Sequence, residues 1–249
     1  MSGHNRWSKI KHKKAATDAR KSKGWTKLLK AVTLAASTGI PDVDSNASLR
    51  SAVEKARAEA VPSETIQRAI KKGSGELGAV SLEELIYEAY GPGGTAMVVE
   101  ILTDNRNRTA SEIRHLLERH NSKLAASGSV MYLFKRRGAV VFEASAVDED
   151  KLMEAALELG AEDIQSGGET VTVLTEASKY IDVKEALEKK GFKPAGGEVA
   201  MLPETTIRLE GKDAESMVKT INALEEHDDV QNVYVNADID EEVFERLLA

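Results

Sequence analysis

Ten of the first thirty residues are basic, Arg6, Lys9, Lys11, Lys13, Lys14, Arg20, Lys21, Lys23, Lys27 and Lys30, and a single acid, Asp18, opposes them, so residues 1–30 carry a net charge of +9. Closely spaced cations with almost no carboxylate partners suit contact with the phosphates of a polyanion. On a helical wheel Lys9, Lys13, Arg20 and Lys27 form one stripe, Lys14 and Lys21 form the next, and Lys11 widens the basic face. The opposite face offers only Ala15, Ala16 and Ala19, which bury too little to fix a helix firmly, while Trp7 and Ile10 lie among the cations. Such a segment is expected to order when a polyanion meets it; the plain alternative is a solvated charged helix. Trp7 could stack on a base or cover a neighbouring helix.

A second candidate is Asp104-Asn105-Arg106-Asn107-Arg108-Thr109, expected between a strand and a helix whose capping box is Thr109 and Glu112. Free N–H groups at a helix start, with the guanidinium groups of Arg106 and Arg108, would suit a phosphate. Local pairing of the arginines with carboxylates serves equally well as an account. Lys135-Arg136-Arg137, expected at a hairpin tip, has the same ambiguity and less support.

Enzyme chemistry finds little to work with. Gly91-Pro92-Gly93-Gly94 lacks the Lys-Ser/Thr of a phosphate-binding loop and sits between two strands, so it reads as a hairpin turn. His115 and His120 have the wrong spacing for one helical face, and His4 and His12 have no carboxylate ligands nearby. No catalytic residue, metal site or cofactor is expected. Glu225-Glu226-His227-Asp228-Asp229 reads as a solvated helix-to-strand turn.

The elements that would carry these groups divide by charge. The whole chain of 249 residues has a net charge of −7, yet residues 1–75 carry +10 and the remaining 174 carry −17. One end faces nucleic acid and an acidic remainder avoids it. Cys is absent, which removes disulfides and thiolate chemistry. No apolar run reaches membrane-spanning length and Met1 to Trp7 is polar, so the expectation is a cytoplasmic protein with no membrane or small-molecule partner.

Apolar residues recur with helical spacing from Trp25 to Ile70, broken at Gly39, Pro41 and Pro62, and Gly73-Ser74-Gly75-Glu76 reads as a linker. Beyond it strands alternate with single helices: strands at 85–90 and 95–102, a helix after Thr109, strands near 130–134 and 139–142, a helix near 151–159, a strand at 170–174, a helix at 181–190, then strand 205–209, helix 214–224 and strand 230–235. The pattern predicts an α+β protein, an N-terminal three-helix bundle with a basic arm followed by two small α/β split-βαβ (ferredoxin-like) domains. The first hairpin and helix lack a second half until residue 204. The expected division is therefore a basic helical domain 1–75, a discontinuous α/β domain 80–130 plus 204–249, and an inserted α/β domain 131–203.

Gly3-His4, Trp7, Ile10-Lys11-His12-Lys13-Lys14-Ala15, Asp18, Arg68-Ala69-Ile70-Lys71-Lys72-Gly73, Tyr87-Glu88, Tyr90-Gly91-Pro92-Gly93-Gly94 and the run from Leu102 to Thr109 together resemble the YebC family. The likeness continues through Gly128-Ser129-Val130, Met201, Pro203, Leu224-Glu225 and the run from Asp228 to Asn236, and so covers nearly the whole chain. It implies an N-terminal helical domain, two α/β domains with the third inserted in the second, and a regulator of gene expression. Bacterial members usually carry the label of DNA-binding transcriptional regulator. Others, mitochondrial translational activators among them, look like ribosome-associated factors that bind ribosomal RNA and ease synthesis of proline-rich stretches. No helix-turn-helix signature or coiled coil is evident to single out a major-groove reader.

Overall fold

The computed structural model describes residues 21–78 and 81–240, together with Val243 and Arg246. Three helices come first, α1 (Lys21–Ser37), α2 (Ala47–Ala58) and α3 (Ser63–Gly73). Their helical-period residues Val32, Ala36, Leu49, Val53, Ile66 and Ile70 are buried together, with Trp25, Leu28 and Leu29 packed around them. The turn between α1 and α2 is stitched by one side chain. Asn46 accepts from the Leu49 N–H as the N-cap of α2, and its Nδ2 donates to the carbonyls of Ala35 and Ile40, both at 2.9 Å. Gly73 lets α3 approach α1 closely, since a Cβ there would lie 2.3 Å from the Thr33 carbonyl oxygen.

The chain then runs through β1 (Glu83–Tyr90), β2 (Ala96–Thr103), α4 (Arg106–Arg119), β3 (Lys123–Leu124), β4 (Phe134–Glu143), α5 (Glu149–Glu158), β5 (Asp163–Gly167) and β6 (Thr170–Glu176). It continues with α6 (Tyr180–Lys189), β7 (Gly196–Pro203), β8 (Ile207–Arg208), α7 (Gly211–Glu225), β9 (Val230–Val235) and β10 (Ala237–Asp238). Two four-stranded antiparallel sheets result, ordered β3-β1-β2-β9 and β5-β6-β4-β7. The protein is thus α+β, a three-helix region followed by two antiparallel-sheet domains with helices.

Alternation along the strands decides what each face meets. In the first sheet Ala89, Met97, Val99, Ile101 and Val233 point to α4 and α7, where Ile113, Leu117, Met217 and Ile221 complete the core. In the second, Val140, Phe142, Val171 and Val173 point to Leu152, Ala156, Val183 and Leu187 of α5 and α6. The remaining faces meet each other: Ala96, Val98 and Tyr234 pack with Phe134, Ala139, Leu174, Ala200 and Leu202. Two sheets lie back to back with helices outside. In the hairpin between β1 and β2, Gly93 and Gly94 adopt φ of 66° and 76°, a left-handed turn suited to glycine.

Several expectations are corrected. β4 is one continuous strand over 134–143, so Lys135-Arg136-Arg137 is not a hairpin tip. The strand is central and ladders on both sides hold it straight, Arg137 lying opposite Glu176 of β6 and Ala200 of β7. β5 and β7 escape the apolar alternation because one is polar and the other opens on two glycines. The strand expected at 205–209 contracts to β8, paired in parallel with β10. Helix α4 starts three residues before Thr109: its N-cap is Asn105, which accepts from the Arg108 N–H at 3.1 Å, and Thr109 lies buried in the first turn.

Candidate functional site

The basic segment leads into α1. Lys9, Lys11, Lys13, Lys14 and Arg20 lie outside the described residues, as does Trp7, and Lys21 and Lys23 occupy the first turn of α1. Further along that helix the cations turn inward to the protein. Trp25 Nε1 donates to the Glu59 carbonyl at 3.0 Å and fastens α1 to the end of α2. Lys27 Nζ donates to the Glu225 carbonyl, and Lys30 Nζ donates to the Asp228 carbonyl at 3.0 Å and to Asp229 Oδ1. Lys27, expected among the phosphate contacts, therefore joins the helical region to the turn between α7 and β9.

Asp229 is the centre of this junction and is only 2% exposed. Its Oδ2 accepts from Arg108 at 2.8 Å, Thr109 Oγ1 at 2.6 Å and Thr103 Oγ1 at 3.2 Å, while Lys30 holds Oδ1. Burial alone would raise the carboxyl's pKa, but the Lys30, Thr109 and Arg108 hydrogen bonds outweigh it and hold the group well below the usual carboxylate range. Next to it, His227 Nδ1 accepts from the Asp229 N–H at 3.1 Å, which leaves Nε2 to carry the proton donated to Glu112 at 3.0 Å. The reading of 225–229 as a solvated turn is corrected at its last residue: Asp229 is a buried ion pair because three segments distant in sequence converge on it.

Glu112, His227 and Asp229 bring ligand atoms within 4.8 Å of one another, close enough for a metal ion. Two cations, Lys30 and Arg108, already sit on the Asp229 oxygens. An incoming metal ion would meet their repulsion before reaching a carboxylate, so the cluster is an ionic joint.

The two arginines expected as a pair part company here. Arg108 bonds Asp229 and also Asp104 at 3.1 Å, so local carboxylates claim it. Arg106, one residue inside the Asn105 cap, is exposed and touches the body through its carbonyl, which accepts from Tyr87 Oη at 3.4 Å. In β4, Arg137 pairs with Glu162 at 3.2 Å and Lys135 pairs with Glu204, whereas Arg136 is exposed.

A second buried carboxylate lies in β1. Glu88 accepts from the N–H groups of Gly128, Val130 and Met131, the last two at 2.6 and 2.9 Å. Burial opposes its ionisation, and these backbone bonds prevail and lower its pKa. The arrangement anchors the loop that leads from β3 into β4. Where the sheets meet, Tyr234 Oη donates to Glu100 at 3.2 Å, and burial together with the Glu100 and Glu198 carboxylates pushes the phenol far above its usual range.

No helix among the described residues is long and apolar enough to cross a membrane. A basic helical region fixed to an acidic pair of sheets is the class of protein that emerges. The family model for the TACO1/YebC protein N-terminal domain matches residues 5–76, and that for the TACO1/YebC second and third domain matches residues 82–237. Curated relatives are similar over their full length. A probable transcriptional regulatory protein of Geobacter sulfurreducens is 50% identical over 248 residues, covering 100% of both chains. Another so named, from Thermoanaerobacter pseudethanolicus, is 51% identical over 243 residues, covering 97% of this chain and 99% of its own. The crystal structure of a conserved hypothetical protein from Aquifex aeolicus is 43% identical, with a TM-score of 0.78 over 90% of this chain and 92% of that one. The chain belongs to the TACO1/YebC family. The two curated relatives are probable transcriptional regulatory proteins by name, and neither is named as an enzyme.

Proposed function

We propose that the chain is a non-enzymatic nucleic-acid-binding regulator of gene expression, acting on DNA as a transcriptional regulatory protein. The observation that carries this is the +9 run of residues 1–30 beside a remainder of −16. Lys9, Lys11, Lys13, Lys14, Arg20, Lys21, Lys23 and Arg106 are the phosphate contacts, while Lys27 holds the helical region to the body and Arg108 is engaged by Asp229 and Asp104 within the body. In this reading residues 1–75 form one domain, 80–130 with 204–249 a second, and 131–203 an inserted third, each sheet being a split-βαβ unit. Such a protein works in the cytoplasm, where nucleic acid is accessible, and needs no cofactor. The names of its relatives support the transcriptional assignment.

A second reading, a translation factor on ribosomal RNA, is favoured by the Ala-only apolar face of the basic segment, which fits an irregular RNA groove as well as a duplex. Competition at fixed salt between random duplex, a candidate promoter and purified ribosomes separates the two. A transcription regulator keeps a preference of roughly 10³ or more for its site over random sequence. Promoter binding that survives excess random duplex supports the first reading, and retention on ribosomes alone supports the second. Changing Lys9, Lys11, Lys13 and Lys14 together to Glu should abolish either interaction while the thermal midpoint stays put. A variant that binds as tightly as the parent refutes both.

A further inference from the structure

The body is acidic, yet one place in it gathers positive charge. From Ile113 to Lys123, the second half of α4 and the start of β3, the basic residues Arg114, Arg119 and Lys123 and two histidines stand against the single acid Glu118. The fold adds Lys219 from α7. The carbonyl of His120, which closes α4, accepts from Ser216 Oγ at 3.1 Å and from Ser122 Oγ at 3.3 Å, with Thr220 Oγ1 3.4 Å away. Ser216, Lys219 and Thr220 are spaced by three and four residues and share one face of α7, so the hydroxyls that meet His120 bring Lys219 with them. Asn121 turns the chain at a left-handed φ of 55°, and the Ser122 N–H returns to the Leu117 carbonyl at 2.9 Å. Backbone groups thus hold the cluster in place.

The charges there are uncompensated. Arg119 and Lys219 are exposed and His120 is partly buried. Burial, with the positive charges of Arg119 and Lys219, lowers the pKa of the imidazole, and no carboxylate counters them. Nearby acids are engaged elsewhere, Glu112 by Arg108 and His227 and Glu215 by Arg246, and among the described residues neither Arg119 nor Lys219 forms an ion pair. Cations held together without a carboxylate repel one another, and an anion between them relieves the repulsion. A neutral imidazole still has one N–H to donate. Both cations stand on open helix surface, where the backbone of a polymer can reach them.

We infer that Arg119, His120 and Lys219 form a phosphate site for the backbone of a nucleic acid, at the opposite end of α4 from Arg106. A helix rises about 1.5 Å per residue, so the two arginines stand roughly 20 Å apart, about six nucleotide steps. The inference rests on the nucleic-acid reading above and extends the contact from the basic end of the chain to the acidic body. Acidic surface elsewhere on that body repels the polyanion and so directs it to this cluster.

The test uses the full chain and a fluorescent DNA duplex of about thirty base pairs, roughly 100 Å long. Arg119→Ala with Lys219→Ala should make the salt slope shallower by nearly two, at about 0.9 per phosphate contact. Lys184→Ala with Lys189→Ala removes the same charge from α6, where the lysines face Glu188 and Glu185, and should leave the slope at the parent's value. His120→Glu should weaken the duplex by repulsion and keep the urea midpoint, because the clamp uses the His120 carbonyl and not its ring. An unchanged slope in the Arg119 and Lys219 variant, an equal change in the α6 control, or parental affinity in His120→Glu would overturn the site. Saturable binding of inorganic phosphate that the double variant loses, with duplex affinity unaltered, assigns the cluster to a small anion and also overturns it. A parent protein that fails to bind the duplex refutes instead the nucleic-acid reading on which the site rests.

Discussion

The two junctions that hold this molecule together are made of different materials. Between the sheets the contact is apolar, Ala96, Val98 and Tyr234 against Phe134, Ala139, Leu174, Ala200 and Leu202. Between the helical region and the sheets, the described contact is ionic, Lys27 and Lys30 on the Glu225–Asp229 turn. The apolar cluster of the helices shares no member with those of the sheets. Hydrophobic contact scales with area and is little affected by salt or pH, whereas ion pairs near water are screened and titrate. The sheets therefore form one durable body, and the helix that continues the basic segment is attached by the interaction that a polyanion and its salt atmosphere would most directly contest.

The largest expected effect tests the durable side. Phe134→Ala removes a buried ring from the sheet junction and should cost about 3–5 kcal/mol, read as a lower urea midpoint. The loss should be nearly the same at low and high salt. A strongly salt-dependent loss would mean that the junction is not held by apolar burial.

Asp229 tests the ionic side. Breaking a fully buried ion pair costs about 3–5 kcal/mol, but Lys30 and Arg108 are 21% and 44% exposed, and water would recover part of that, so Asp229→Asn should cost about 1–3 kcal/mol. The pH dependence gives the sign. The Asp229 carboxyl has a folded pKa below its unfolded value of about 3.9, so its contribution is complete above that pH and fades as pH falls toward the folded value. The gap between parent and Asp229→Asn should be widest above about pH 4 and close in stronger acid. A gap independent of pH would show that the carboxylate's charge is not what holds the joint. Glu88 titrates with the same sign but is satisfied by backbone groups, so it is common to both proteins and cancels in the comparison.

What the sequence made legible follows the same division. Helical periodicity placed the buried faces of α1 to α3, and alternation placed β1, β2, β6 and β9, because apolar burial repeats with the period of the element. It failed at β5 and β7, where Gln165, Ser166, Gly196 and Gly197 carry no apolar alternation and the pairing comes from neighbouring strands. The junction at Asp229 was invisible for a stronger reason. It sits at the end of an acidic run that resembles solvent-exposed surface, and its partners Lys30, Thr103, Thr109 and Arg108 come from three other segments, so only the fold brings them together. Arg106 and Arg108 were legible as a pair of cations at a helix start, but the helix begins at Arg106, and one further turn geometry aims Arg108 at Asp229.

That last separation yields the smallest and most discriminating expectation. Arg106 and Arg108 are two residues apart in the first turn of α4, and by composition they are interchangeable. The structure gives them opposite duties, since Arg108 bonds both Asp229 and Asp104 while the exposed Arg106 is engaged through its backbone. Arg106→Ala should leave the urea midpoint within the ±0.5 kcal/mol or so of an ordinary surface change, and should weaken nucleic-acid binding with a salt slope shallower by about one phosphate contact. Arg108→Ala should do the reverse: stability falls by about 1 kcal/mol as Asp229 loses one of its two cations, and the salt slope stays near that of the parent. Measuring midpoint and salt slope on both variants gives four numbers whose signs are fixed in advance. If the slope shifts equally in both, Arg108 leaves the joint to meet phosphate, and the contrast between a durable body and a contested attachment sharpens into direct competition at Asp229.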